Sequence, residues 1–239
     1  MNLNRRLERL IKFTLDECIP PVLRDNRMLM SILLKIAFGK KYSYFIDFKD
    51  RYQELTESEF EKIYQKTSPV FIHENGTDLS KAIIEEIKLG MMGTKVADIG
   101  CGNGILAGLL ANSYKVTGFD ILIDATIIKR FPDVAFVKAN LSSLPVNDKE
   151  FDTTICAHTL EHVNDLFDAI KELRRVTRSK LIIVVPKERP YKYTFNLHVH
   201  FFPYKHILLN YLLYDKPDSL NFEIKEIDGC WYYQEYCSY

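Results

Sequence analysis

Three glycines, at positions 100, 102 and 104, stand directly behind an apolar run, Val96-Ala97-Asp98-Ile99, and ahead of a helical one, Ile105 to Asn112. The apolar run reads as a buried strand. Without β-carbons the turn can take positive φ, and its backbone can press close to a ligand. The helix that follows aims its free N–H groups over that turn. A strand, a glycine turn and a helix start make a nucleotide-type site at the carboxyl edge of a parallel sheet. From residue 94 onward strand and helix patterns alternate, as in a doubly wound parallel sheet. Strands are expected at 95–99, 115–120, 134–139, 151–157 and 179–185, and helices at 104–112, 124–131 and 164–176. Phe222 to Ile227 and Trp231 to Tyr236 flank Asp228-Gly229, which signals a closing hairpin.

The segment before this unit is different. Leu3, Leu7, Leu10, Ile11 and Leu15 recur at helical steps until Pro20-Pro21 interrupts them. Met28 to Phe38 is a second, more apolar helix ended by Gly39. Residues 1–41 carry nine basic residues against four acidic ones. Two uses are open for such helices: a cap packed on the main domain, or contact with an anionic membrane surface. Thr56-Glu57-Ser58-Glu59 offers another helix start. Residues 69–76 read as an extended link, after which Thr77 or Asp78 caps a helix through Leu89. The expected division is a helical cap over 1–76 and an α/β domain over 77–239.

Composition excludes some classes. The 239 residues give room for one large domain plus a cap. Thirty-two basic and thirty-two acidic residues balance, so the basic excess expected of a nucleic-acid binder is missing. Five cysteines (18, 101, 156, 230 and 237) form no C-x-x-C pair, which suggests reduced thiols and a cytoplasmic location. No secretory pattern opens the chain, and no apolar run is long enough to span a membrane.

The motifs narrow the reading. A dinucleotide fingerprint wants G-x-G-x-x-G; here the third glycine falls one residue early, giving D-x-G-x-G-x-G from Asp98 to Gly104. The second strand ends at Asp120-Ile121, about twenty residues on, where a carboxylate can accept from two ribose hydroxyls. The third ends Lys138-Ala139-Asn140-Leu141. The fourth runs Phe151-Asp152-Thr153-Thr154-Ile155-Cys156-Ala157 and exits through His158-Thr159-Leu160-Glu161-His162-Val163. With Leu173-Arg174-Arg175-Val176, these strings over 94–186 resemble the small-molecule branch of the class I S-adenosylmethionine-dependent methyltransferases.

That resemblance implies a seven-stranded, mostly parallel sheet of order 3-2-1-4-5-7-6, with S-adenosyl-L-methionine as cofactor. It assigns Asp98, Gly100, Cys101, Gly102, Asn103, Gly104, Asp120, Ile121, Asn140, Leu141 and Ala157 to the cofactor. The family often has Asp where Asn140 stands; Asn140 as adenine contact and Asn140 as turn residue both stay open. His158, just past a strand end, is a candidate base or substrate contact. Glu161 and His162 read as structural or pocket-edge groups. In Lys187 to Tyr204 the alternating His198 and His200 join an aromatic-rich stretch expected to border the substrate. A lid with a histidine base and plain packing compete there; a metal site, with His206 or His158 as third ligand, is not expected. The acceptor is expected to be an oxygen or nitrogen of a small molecule or a lipid-linked glycan, not a nucleic acid. The rival functions are an NAD-linked oxidoreductase and a non-catalytic binding protein of the same fold.

Overall fold

The protein's structure, a computed structural model, describes residues 14, 18–67, 77–193, 195–214 and 221–237. It divides into two compact units: residues up to Asn75 together with Arg189–Val199, and Gly76–Glu188 together with His200–Tyr239.

The first unit is helical. Helix α1 (Arg27–Phe38) begins where the Asn26 side chain accepts from the Met28 and Leu29 N–H groups at 3.0 and 3.1 Å. That is the cap an asparagine supplies. It stops at Gly39, whose φ of 57° lies in the left-handed region. Met30 and Leu34 turn inward against Phe45, Ile46 and Phe48. Helix α2 (Glu57–Thr67) opens with a capping box. Glu59 N–H donates to Thr56 Oγ1 at 3.3 Å, and Thr56 N–H to Glu59 Oε2 at 2.9 Å.

Tyr193 and Leu197 belong to the same core. The stretch expected beside the substrate therefore clusters, over residues 189–199, with the N-terminal helices. Its apolar side chains need burial, and local sequence order cannot say against which element. The helix expected over 3–15 and the link at 69–76 lie almost wholly outside the described residues. Among those residues no helix is long and apolar enough to cross a membrane.

In the second unit Ser80 caps α3 (Lys81–Gly90), accepting from the Ile83 N–H at 3.2 Å. The cap thus falls later than Thr77 or Asp78, because burying Leu79 draws the chain inward before the helix begins. Seven strands follow: β1 (Lys95–Ile99), β2 (Lys115–Asp120), β3 (Ala135–Lys138), β4 (Phe151–Ala157), β5 (Thr177–Pro186), β6 (Asn221–Ile227) and β7 (Cys230–Tyr236). They form one sheet of order β3-β2-β1-β4-β5-β7-β6. The first five run parallel, and β7 pairs antiparallel with β5 and β6.

Successive residues of β5 face opposite sides, as strand geometry requires. Ile182 and Val184 pack with Ile83 and Ile87 of α3 and with Leu106 and Leu110 of α4 (Ile105–Leu110). Helix α5 (Ala125–Arg130) links β2 to β3. Leu181, Ile183 and Val185 pack on the other face, with Leu166, Ile170 and Leu173 of α6 (Leu166–Val176) and with Leu208 and Leu212 of α7 (Lys205–Leu212). Two buried faces explain why these strands read as continuous apolar runs.

Candidate functional site at the carboxyl edge of the sheet

The site starts where β1 ends. Gly100, Gly102 and Gly104 have φ of 71°, 52° and 73°, so all three use the conformation that glycine alone adopts without strain. Their surroundings differ. A β-carbon on Gly100 would collide with the Thr159 side chain, and one on Gly104 would press on Phe136 at 2.9 Å. A β-carbon on Gly102 would meet nothing within 4 Å. The turn is thus packed at its two ends and open in the middle. The Gly100 and Cys101 N–H groups donate to the Phe119 carbonyl, at 2.7 and 3.0 Å, which ties the turn to β2. Asn103 is exposed, and its side chain accepts from the Ile105 N–H at 3.4 Å. Cys101 is buried, and desolvation first, with Asp98 and Asp120 adding, pushes its thiol pKa far up; it stays a neutral packing group.

Two carboxylates lie at this turn. Asp120, at the end of β2, accepts from the Gly102 N–H at 2.8 Å and from the Leu122 N–H at 2.9 Å. Burial raises its pKa, and the backbone donors work against that rise. Asp98, in β1, is 2% exposed, and its Oδ2 has no hydrogen-bond partner among the described residues. Desolvation, and then the nearby Asp120 charge, push Asp98 up to about 7, despite a hydrogen bond from the Ala107 backbone. Two carboxyl groups that burial makes costly to ionise therefore lie at the edge of the sheet, and a nearby cation would favour their charged form. Such a place favours a cation and opposes a pyrophosphate.

The remaining residues expected at the cofactor site cluster less tightly. Ile121, following Asp120, is half-buried. Asn140 accepts through Oδ1 from the Ser142 N–H at 3.1 Å, a local turn bond, and Leu141 is buried. Ala157 closes β4 and is half-buried.

His158 comes next, with φ of 52°, an uncommon conformation for a residue with a β-carbon. Its N–H donates to the Val184 carbonyl of β5 at 2.9 Å, so the exit is held by the sheet. The ring sits between two groups. Nδ1 is 3.4 Å from Glu161 Oε1, and Nε2 is 3.9 Å from the Cys230 sulfur. Burial alone would disfavour the imidazolium. Cys230 and the wholly buried Glu161 outweigh it and raise the pKa well above the ordinary value.

A raised histidine pKa stabilises the fold fully below the ordinary range near 6.5, and the effect fades only as pH rises through the raised value. Glu161→Gln removes the charge that favours the imidazolium. The His158 titration followed by NMR should then move to lower pH. An unmoved midpoint would show that Glu161 does not set the charge of this ring.

His200 is also in the second unit. Its backbone N–H donates to the Glu161 carbonyl, and its Nε2 lies 2.8 Å from the Val163 carbonyl. That acceptor calls for a proton on Nε2, which makes the ring a donor here. Burial lowers its pKa, so it stays neutral. His198 belongs to the first unit, where Nδ1 lies 3.0 Å from the Asn196 amide nitrogen. The three candidate histidines thus occupy three different settings. Sequence reasoning missed Thr159 and Cys230. Thr159 fills the space that Gly100 leaves. Cys230 reaches His158 only because β7 runs antiparallel to β5, with Cys230 opposite Pro186.

Residues 97–185 match a family profile described as a methyltransferase domain. A ubiquinone biosynthesis O-methyltransferase from Rickettsia bellii is 26% identical over 172 residues, covering 63% of this chain and 71% of that protein. A tRNA U34 carboxymethyltransferase from Campylobacter curvus is 27% identical over 117 residues, covering 46% and 39%. The chain spans about half the length, or less, of several such curated relatives. A solved S-adenosylmethionine-dependent methyltransferase from Thermotoga maritima superposes with a TM-score of 0.56 at 17% identity, covering 75% of this chain and 98% of that one. This last likeness is one of fold. Motif, strand order and family profile meet on the same residues: residues 97–185 form a methyltransferase domain of the class I S-adenosylmethionine-dependent type.

Proposed function

We propose that this chain transfers a methyl group from S-adenosyl-L-methionine to an oxygen or nitrogen of a small molecule or lipid-linked glycan. The observation that carries the reading is the charge at the glycine turn. Asp98, buried beside the turn with Oδ2 unpartnered among the described residues, suits an ammonium and opposes the pyrophosphate of a nicotinamide dinucleotide, whereas Asp120 is a ribose acid that either cofactor would use. The open space at Gly102 and the orphan Oδ2 of Asp98 fit such a cofactor.

Asp98, Gly100, Gly102 and Gly104 would hold its amino-acid portion. Asp120 would accept from the ribose hydroxyls while keeping its bonds to Gly102 and Leu122. Ile121, Asn140 and Leu141 would border the adenine. When bound, the cofactor supplies an electrophilic methyl on a positively charged sulfur. The protein's part is alignment and exclusion of water. His158 holds a proton between Glu161 and Cys230, so it suits an anionic acceptor oxygen better than the removal of a proton. His200, hydrogen-bonded to a backbone carbonyl, is placed as support. A base role for His198 rests on the sequence alone.

Calorimetry with S-adenosylhomocysteine tests the reading, because that product keeps the ammonium group. Binding near pH 6 should release close to one proton as Asp98 ionises against the ligand, read from heats in buffers of different ionisation enthalpy. Asp98→Asn should abolish that release and weaken binding roughly tenfold. A labelled-methyl assay on separated small-molecule, lipid and RNA fractions then identifies the acceptor. Label in RNA alone overturns the acceptor class, and absence of S-adenosylhomocysteine binding by folded protein overturns the whole reading.

A further inference from the structure

The first unit carries an apolar surface that its own core does not use. On α1, Met30 and Leu34 are buried, whereas Met28, Leu29, Ile32 and Ile36 are exposed, Met28 by 75% and Ile36 by 77%. At 3.6 residues per turn these four fall within an arc of roughly 100°, with Lys35 at its border. Just upstream Val22 and Leu23 are exposed as well. Single exposed apolar residues need no explanation, but a stripe of large ones marks an interaction surface.

The charge around the stripe has one sign. Residues 21–41 hold Arg24, Arg27, Lys35, Lys40 and Lys41 against one acid, Asp25. Asp25 is engaged by the Lys192 backbone N–H at 3.3 Å. Arg27 pairs with Asp47 at 2.6 Å and the Lys35 ammonium lies 4.8 Å from the Tyr42 ring centroid, with the Lys35 and Lys40 side chains both exposed.

We propose that this face docks on an anionic lipid surface. Helix α1 would lie in the plane of the interface, with Met28, Ile32 and Ile36 in the boundary between headgroups and acyl chains. Lys35 and Lys40 would reach lipid phosphates. Two features favour lipid over a second copy of the chain. The stripe is aliphatic and lacks the aromatic anchors that dominate protein interfaces. Self-pairing about a two-fold axis would also bring the same cationic border against itself. The inference is independent of methyl transfer.

Flotation of the full chain with vesicles tests it. Vesicles with about a third phosphatidylglycerol should carry at least about tenfold more protein than phosphatidylcholine alone, and high salt should reverse this. Ile32→Glu with Ile36→Glu should cut binding to the phosphatidylcholine level; Lys35→Glu with Lys40→Glu should do so too. Circular dichroism should show both variants folded, since the positions are exposed. Variants that float like the parent, or no flotation at all, overturn the proposal. A dimer in sedimentation that the Ile32/Ile36 variant dissolves assigns the face to a second copy. Flotation that appears only after removal of residues 1–17 assigns it to that segment.

Discussion

Replacing Asp120 with alanine should weaken S-adenosylhomocysteine binding about a hundredfold and lower thermal stability at the same time. Asp120 joins two elements: Oδ2 accepts from Gly102 in the glycine turn and Oδ1 from Leu122 after β2. Alanine leaves both N–H groups without their acceptor and removes the proposed ribose contact. Hydrogen bonds to a charged group contribute about 1.5–3 kcal/mol each. A loss of about 3 kcal/mol in binding corresponds to the hundredfold change. Asp120→Asn keeps one carbonyl acceptor and should fall between. Calorimetry on samples checked for folding reads the result. Parent-like affinity for Asp120→Ala would remove this carboxylate from the site.

Gly100→Ala should destabilise the second unit by about 3 kcal/mol, through two additive causes. The residue sits at φ of 71°, where a β-carbon costs about 1 kcal/mol, and that β-carbon runs into Thr159. For a chain of this size the melting temperature should fall by roughly 6–12 °C. Gly102→Ala is the control. It carries the φ cost but meets open space, so its stability loss should be near 1 kcal/mol while its β-carbon fills the proposed ligand cradle. The double variant Gly100→Ala, Thr159→Ala should recover part of the loss, because Thr159 then no longer presents Oγ1 and Cγ2 to the new atom. Equal melting temperatures for Gly100→Ala and Gly102→Ala would show that Thr159 does not set the spacing of this turn.

Much of the sheet was legible in advance. Strands β1, β2 and β4 span the residues their apolar runs imply, and β3 and β5 lie within two residues of expectation. Strands buried on both faces leave an unbroken apolar signature, and glycine and proline mark their ends. The terminal hairpin was readable from Asp228-Gly229; both residues have positive φ, as that turn demands. Helix α7 was not readable. Its text, Lys205-His206-Ile207-Leu208-Leu209-Asn210-Tyr211-Leu212, follows an aromatic stretch without a side-chain cap, and it is fastened by burying Leu208 and Leu212 beside α6. The Ser80 cap was missed for a related reason. Thr77, Asp78 and Ser80 can each cap a helix in isolation, and the burial of Leu79 leaves Ser80 in that place.

Sequence alone was sufficient for the strand, glycine turn and helix at Asp98 to Leu110, and for the acid at the end of the next strand. Those features depend on backbone sterics over a few residues and on a spacing that the fold repeats. Tertiary structure decided which groups share an environment. Asp98 becomes hard to ionise because the packed sheet buries it and because β2, lying beside β1, brings Asp120 near it. His158 keeps its proton because Glu161 folds back on one side and Cys230 arrives from a strand 72 residues later on the other. Charge states depend on burial and on neighbours distant in the chain, and neither is written in local order.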